Sequence, residues 1–460
     1  MVRVRSAALV VGVLLAWSPG QSSATAAQVW PTWRGPNHDG VCLDTNVPIK
    51  WSATENVRWR TALPGPGNST PIIWGDSVIV SQSAKSRRGL VAFDCRSGRV
   101  RWNALVEDPS STLSTHHVNP PCSSSPVTDG EMVVAWLGSL GLMAVNVETG
   151  KVLWHTDLGI QRHEFGYGST PILFGDRIYL NFGPGAREFV VSLDKRTGRP
   201  LWRVESPTPG AEDTHGTWST PSIAMVDGKP QLLVGLRDYF AGVDPVSGEE
   251  IWRCRGTGPQ AKSSPISGEG VAFFAGDLRG GEVAVKLGGH GDVTDTLRLW
   301  REYPPRGRVA TGLIHEGHIY GVRANGIVDC VSLSTGDEVW AERQPGAGAN
   351  SPNWSSPVRV GNLLYVINQG ADTMIVKASP RFDIVSLNTL STALRRETCN
   401  ASLAFAHGDI FIRTWSFLWC ISTAAPARGG NPATGTAPPA APAAAGAGST
   451  NRPKLTQPTP

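Results

Sequence analysis

Short β-branched and aromatic runs alternate with polar turns along this chain. In one stretch the runs are Pro71-Ile72-Ile73, Ser77-Val78-Ile79-Val80-Ser81, Gly89-Leu90-Val91-Ala92-Phe93-Asp94 and Val100-Arg101-Trp102-Asn103. Gly-Asp and Ser-Gly turns separate them, which predicts an antiparallel meander of four strands. The stretch then recurs about every 44 to 55 residues. No unit carries apolar residues at helical spacing, which excludes arrays of helix pairs.

Each unit opens on a Ser-(Ser/Thr)-Pro triplet. The triplets are Ser69-Thr70-Pro71, Ser124-Ser125-Pro126, Ser169-Thr170-Pro171, Ser219-Thr220-Pro221, Ser263-Ser264-Pro265 and Ser355-Ser356-Pro357. Five units close on a Gly with a Trp four residues later, at Gly98 and Trp102, Gly150 and Trp154, Gly198 and Trp202, Gly248 and Trp252, and Gly336 and Trp340. The gap of 92 residues between Pro265 and Pro357 is two periods. It hides a degenerate unit at Thr311-Gly312-Leu313, and a last unit begins at Ala401-Ser402-Leu403. That gives eight first strands.

Four strands per unit at this period predict an all-β fold, an eight-bladed β-propeller of four-stranded antiparallel blades. The last unit stops after its third strand, while residues 56–60 form a strand with no blade of its own. This N-terminal strand is expected to complete the last blade and close the ring, removing exposed edges. A seven-bladed ring with one irregular layer is the second reading. The unit starting at Ser355 lacks the closing Trp and is the weakest. Pro stands at strand starts, where its missing N–H is tolerated. The Gly of each closing turn suits positive φ. Trp59, Trp102, Trp154, Trp202, Trp252, Trp300 and Trp340 are read as structural wedges between blades, where a flat ring fills the space left by their divergence.

Composition then divides the chain into three. Residues 1–26 read as a signal peptide: Arg3 and Arg5, an apolar run over 7–17 too short to span a bilayer, and the small-residue site Ala24-Thr25-Ala26. Residues 27–423 hold the repeats. Residues 424–460, rich in Ala, Pro and Gly, are expected to be disordered. No later stretch is long enough for a membrane helix. The net charge of +4 is carried by the two ends, and residues 27–423 sum to about −1. No concentrated basic face for nucleic acid is therefore expected. Among the seven Cys no two lie closer than 21 residues, which rules out a CxxC motif. In an exported chain disulfides are possible, and the odd count leaves at least one thiol unpaired or used between chains. Cys330 and Cys420 sit in apolar strands and are read as buried.

The segment Gly141-Leu142-Met143-Ala144-Val145-Asn146-Val147-Glu148-Thr149-Gly150-Lys151-Val152-Leu153-Trp154 resembles the PQQ-type β-propeller repeat. The opening Trp30-Pro31-Thr32-Trp33-Arg34-Gly35-Pro36 with Asp39-Gly40, and the close from Ile410 to Ile421, resemble exported bacterial PQQ-like propeller proteins. The resemblance covers about residues 30–423. It implies the propeller fold and leaves two activities open, since quinoprotein dehydrogenases and BamB-type propellers of outer-membrane assembly share the repeat.

The enzymes of that group carry an adjacent Cys pair over the quinone, Glu and Asn ligands to Ca²⁺, and an Asp base. This chain has no adjacent cysteines, no CxxCH and no clustered acidic motif. His116-His117, read as strand neighbours, would face opposite sides and not share a metal. His163-Glu164 and Asp213-Thr214-His215 lie just before first strands, where a ring mouth would form, and a His–Asp pair can do acid–base work. No supported Ser or Cys nucleophile accompanies them. Arg237, Arg279, Arg323 and Arg413 each end or follow a second strand. They are candidates to ring one mouth of the channel and hold an anionic group, or else are solvated turn residues; Arg34 and Arg58 belong with them. The expectation is a monomeric, exported, non-catalytic scaffold with no catalytic residue, no metal and no cofactor, engaging a protein partner of the cell envelope or another ligand. The alternative is a PQQ-dependent dehydrogenase, with Ca²⁺, oxidising an alcohol or sugar.

Overall fold

The structure is a computed structural model that describes residues 29–108, 116–185, 187–206, 216–276, 280–346 and 352–424. The expected signal peptide, and all but the first residue of the tail, lie outside these residues. The strands form eight four-stranded antiparallel blades. In blade 1 the order is Ile72–Trp74, Ser77–Ala84, Arg87–Asp94 and Val100–Glu107, each paired with the next. Blades 2 to 7 repeat the plan from first strands at Val127–Thr128, Ile172–Phe174, Ser222–Val226, Ile266–Gly268, Leu313–His315 and Val358–Val360. Blade 8 takes three strands from the C-terminal end, Ala404–Ala406, Asp409–Arg413 and Phe417–Ile421. Its outer strand is Val57–Ala62, antiparallel to Phe417–Ile421. The ring thus closes as the strand at residues 56–60 predicts, and the seven-bladed reading falls. No helix among the described residues is long and apolar enough to cross a membrane.

The core lies between the blades. One cluster joins Ile79, Leu90 and Trp102 of blade 1 to Val133, Met143 and Val145 of blade 2, and others sit at the following interfaces. The outer-strand tryptophans hold these interfaces by a shared hydrogen bond. The indole N–H of Trp102 donates to the Val147 carbonyl of the next blade at 3.0 Å. Trp154 reaches Lys195 at 2.9 Å, Trp202 reaches Pro245 at 3.2 Å, Trp300 reaches Leu333 at 2.9 Å and Trp340 reaches Ser379 at 3.0 Å. Trp59 of blade 8 reaches Cys95 of blade 1 at 2.8 Å. Trp252 differs: its N–H donates to Gln231 of its own blade. The turn glycine is needed on both counts at Gly198, where φ is +69° and a Cβ would lie 2.5 Å from the Trp154 ring.

A strap at residues 29–42 runs across the axis. Trp30 bridges to Ile73 of blade 1, and the Pro31 carbonyl accepts from Thr128 of blade 2. Three residues on, Arg34 donates to Thr311 and Gly312 of blade 6 and Pro357 of blade 7. Val41–Cys42 then pairs in parallel with the first strand of blade 7. Blade 7 lacks the outer tryptophan. Trp51, just past the strap, is buried beside it, stacked on Tyr365 at 6.5 Å.

Candidate functional site

The middle residues of seven triplets and Thr311 of the degenerate unit face the axis, and these eight are joined in a closed circuit. The Thr70 amide donates to the Ser125 hydroxyl at 2.9 Å, Ser125 to Thr170 at 3.2 Å, Thr170 to Thr220 at 2.9 Å and Thr220 to Ser264 at 2.9 Å. Ser264 donates to Thr311 at 2.8 Å, Thr311 to Ser356 at 3.0 Å and Ser356 to Ser402 at 2.9 Å. Ser402 returns to Thr70 at 3.0 Å. The repeat therefore selects Ser or Thr here because a hydroxyl oxygen must accept the preceding blade's N–H. A hydroxyl that accepts once still has its own proton to donate.

This annulus lines an axial cavity of about 260 Å³. Two positions earlier, on the same face of the chain, stands a second layer: Asn68, Ser123, Gly168, Trp218, Lys262, Val309, Trp354 and Asn400. His116, Val118, Asn119 and Phe165 extend the wall, and Trp33 enters from the strap. The first layer repeats one chemistry eight times. The second does not repeat, so its side chains answer to something other than ring closure.

Local networks fix this second layer. The Asn68 side chain accepts from Trp415 at 2.9 Å and from Asn400 at 3.3 Å. It donates to the Val118 carbonyl at 3.1 Å. Asn119 donates to Phe165 and Tyr167 carbonyls at 2.6 and 3.0 Å. The Trp218 indole is held by Gly166 at 3.0 Å and meets His163 edge-on at 4.9 Å. Lys262 Nζ lies 6.0 Å from the Trp218 ring centre.

The described arginines among those singled out from the sequence do not come together at this cavity. Arg237 is buried and paired with Glu188 at 2.7 Å, and also donates to Gly185 at 2.9 Å. Arg323 pairs with Asp329 at 2.8 Å and with Glu338. It borders a buried lock between blades 5 and 6, where Arg308 sits between Glu282 at 3.0 Å and Asp329 at 2.6 Å. Arg413 is fully buried, bonded to Ser69 and to the Ser81 carbonyl at 2.7 Å, and burial lowers its pKa to about 10. Arg58 pairs with Asp409. Arg279 and the Asp213-Thr214-His215 run lie outside the described residues. His116 and His117 lie in a turn rather than a strand, so their rings do not diverge but stand 4.3 Å apart. No group of three or more His, Cys, Asp or Glu among the described residues could hold a metal. All seven Cys are buried and free. Burial raises the thiol pKa of Cys42 to about 12 and of Cys254 to about 11, the opposite of nucleophile activation.

A quinone with Ca²⁺ needs anionic oxygen ligands for the ion and cationic partners for its carboxylates. The described cavity lining carries no Asp or Glu and one Lys, so its donor set does not fit that pair.

The curated relatives include the outer membrane protein assembly factor BamB of Kangiella koreensis, 24% identical over 140 residues, 29% of this chain and 32% of that protein. A 1-butanol dehydrogenase (quinone) of Thauera butanivorans is 25% identical over 261 residues, 52% of this chain and 39% of that protein. The chain thus spans between about a third and two fifths of the length of the curated relatives it matches. Among solved structures, BamB of Moraxella catarrhalis aligns at a TM-score of 0.54 and 15% identity, over 78% of this chain and 95% of its own. Quinohemoprotein alcohol dehydrogenase of Comamonas testosteroni aligns at 0.64 and 12% identity, over 89% of this chain and 83% of its own. Both share the fold. The family model described as outer membrane protein assembly factor BamB matches residues 43–180 and 186–424, so this chain belongs to that family of PQQ-like β-propellers.

Proposed function

We propose that this chain is an exported, non-catalytic propeller of the cell envelope that binds a partner at the mouth of its axial cavity. The observation that carries the reading is the cavity's chemistry. Its described lining offers hydroxyls, amides, aromatic rings, one lysine and the His116 imidazole, with no carboxylate to hold a cation or to orient that imidazole as an acid or base. The family supports the same reading, because its model is described as an assembly factor. A protein that presents a rigid ring and a recessed, mixed polar and aromatic mouth is suited to hold a segment of a larger partner. Resident on the periplasmic side, it would act beside outer-membrane assembly.

A second reading, a quinone-dependent dehydrogenase, draws on the similarity to the 1-butanol dehydrogenase over about half of this chain. Fold-level likeness does not carry an activity. The two readings part in one experiment. Purified protein is mixed with PQQ and Ca²⁺, its absorbance spectrum recorded, and dye-linked oxidation of alcohols and sugars assayed. In parallel, it is used to capture partners from envelope extracts. The binding reading expects no stoichiometric spectral change, no turnover and recovery of an envelope protein. A stoichiometric shift with turnover sinks it.

A further inference from the structure

We infer that the axial cavity is a saccharide site, built for a neutral, polyhydroxylated ligand stacked on indole faces. The inference rests on the binding reading above and names the chemistry that the cavity would hold.

The register is the first argument. Within one chain, the residue two before each axial hydroxyl occupies the same place in eight blades. Ring closure asks nothing particular of it, and the sequence spends it on dissimilar side chains, two of them Trp218 and Trp354. Sites of variation in an otherwise repeating frame, all facing one cavity, are where a repeat protein places recognition.

The second argument is what those side chains leave available. Trp354 and Trp33 are half-buried against the cavity, and among the described residues neither indole N–H has an intrachain acceptor. Trp218 is instead pinned by its bond to Gly166, which holds its ring in place. Flat apolar faces with polar edges pack well against the C–H face of a pyranose while bonding its hydroxyls. Beneath them the annulus presents hydroxyls such as Thr70, each with one lone pair filled and its O–H to give. A ligand whose groups are themselves both donors and acceptors is the complement of such a surface.

The third argument is exclusion. One lysine and no carboxylate in the described lining do not suit a polyanion or a metal chelate. An extended peptide adding as a strand needs unpaired backbone N–H groups. At the annulus those of the axial residues are already given to the neighbouring blade's hydroxyl. The volume of about 260 Å³ leaves room for roughly one sugar ring, just below the usual range of small-molecule pockets.

The test is calorimetry and saturation-transfer NMR on the full chain with glucose, N-acetylglucosamine, cellobiose and chitobiose. Galacturonate and a blocked neutral tetrapeptide serve as comparators. At least one neutral sugar is expected to bind saturably. Trp354→Ala should weaken it at least about fivefold, and Trp354→Phe, which keeps a ring face, by less than about threefold. Thermal unfolding of each variant separates lost binding from lost fold, and Trp218→Phe is the second variant if Trp354→Ala does not fold. No binding by any neutral sugar, or binding indifferent to Trp354 and Trp218, overturns the inference. So does tetrapeptide binding with the same dependence on Trp354. Sugar failure with envelope-protein capture intact leaves the binding reading standing, whereas quinone binding with turnover removes both.

Discussion

The Ser402 amide donates to the Thr70 hydroxyl at 3.0 Å across 332 residues of sequence, and with that bond the axial circuit closes. Both residues are largely buried at the cavity wall, so the N–H loses its one protein acceptor if this bond goes. Thr70→Val keeps the shape and removes the acceptor. It is expected to lower the unfolding free energy by about 1–3 kcal/mol, the cost of one orphaned buried donor. Thr70→Ser keeps the oxygen and should cost less than about 1 kcal/mol. Urea titration of the two variants checks this, and equal losses would mean that the methyl group, not the circuit, matters.

Trp154 lies on an outer strand, bonds the Lys195 carbonyl of the next blade and packs on Gly198. Trp154→Ala is expected to destabilise the ring by about 2–4 kcal/mol, somewhat less than truncation of a fully buried aromatic because this ring is only partly buried. Gly198→Ala should cost about 1–3 kcal/mol, since its Cβ meets the same ring at positive φ. The two sites are in contact, so the double variant should lose less than the sum. A change under about 0.5 kcal/mol for Trp154→Ala would remove the wedge.

The fold was legible because a propeller writes its geometry once per blade. Strand runs, turn glycines and the orphan strand around Trp59 recur or fail to recur at a countable period, even where Thr311 and Ser402 stand in degenerate triplets. The cavity was less legible. Its annulus was in view as the triplets, but a hydroxyl that accepts a neighbour's N–H looks in sequence like turn chemistry. The second layer shows in sequence only as a fixed position with a changing residue, as at Asn68, Trp218 and Trp354. The arginines misdirect for a physical reason. A guanidinium such as that of Arg413 or Arg34 can be buried by a spread of carbonyls, and no local pattern announces acceptors that arrive from distant blades.

Arg34 illustrates this. It is 3% exposed and donates to four carbonyls, those of Thr311, Pro357, Asp39 and Gly312. Burial lowers its pKa to about 10, still far above neutrality, so it remains charged. Arg34→Lys keeps a charge but loses the planar fork. It is expected to cost about 2–4 kcal/mol and to speed hydrogen exchange at Trp30 and Ile73, whose amides each bond the other's carbonyl at the start of the strap. Unchanged exchange at those two amides would show that the strap is held without it.

His38 belongs to the same strap, and burial lowers its pKa from the usual 6.5 to about 4. The folded protein therefore resists protonating it while the unfolded chain does not. The stability carried by neutral His38 is full above pH 6.5 and lost progressively as pH falls from 6.5 towards 4. Because the ring keeps some contact with solvent, the loss is expected to be on the order of 1–2 kcal/mol rather than the full shift. His38→Asn cannot titrate and tolerates the positive φ of 61° found there. Denaturation midpoints of the two proteins are measured from pH 7 to pH 4, and the wild-type midpoint should fall relative to that of the variant as the pH drops if this residue sets the acid limb. Parallel curves across that window would assign the limb to other groups.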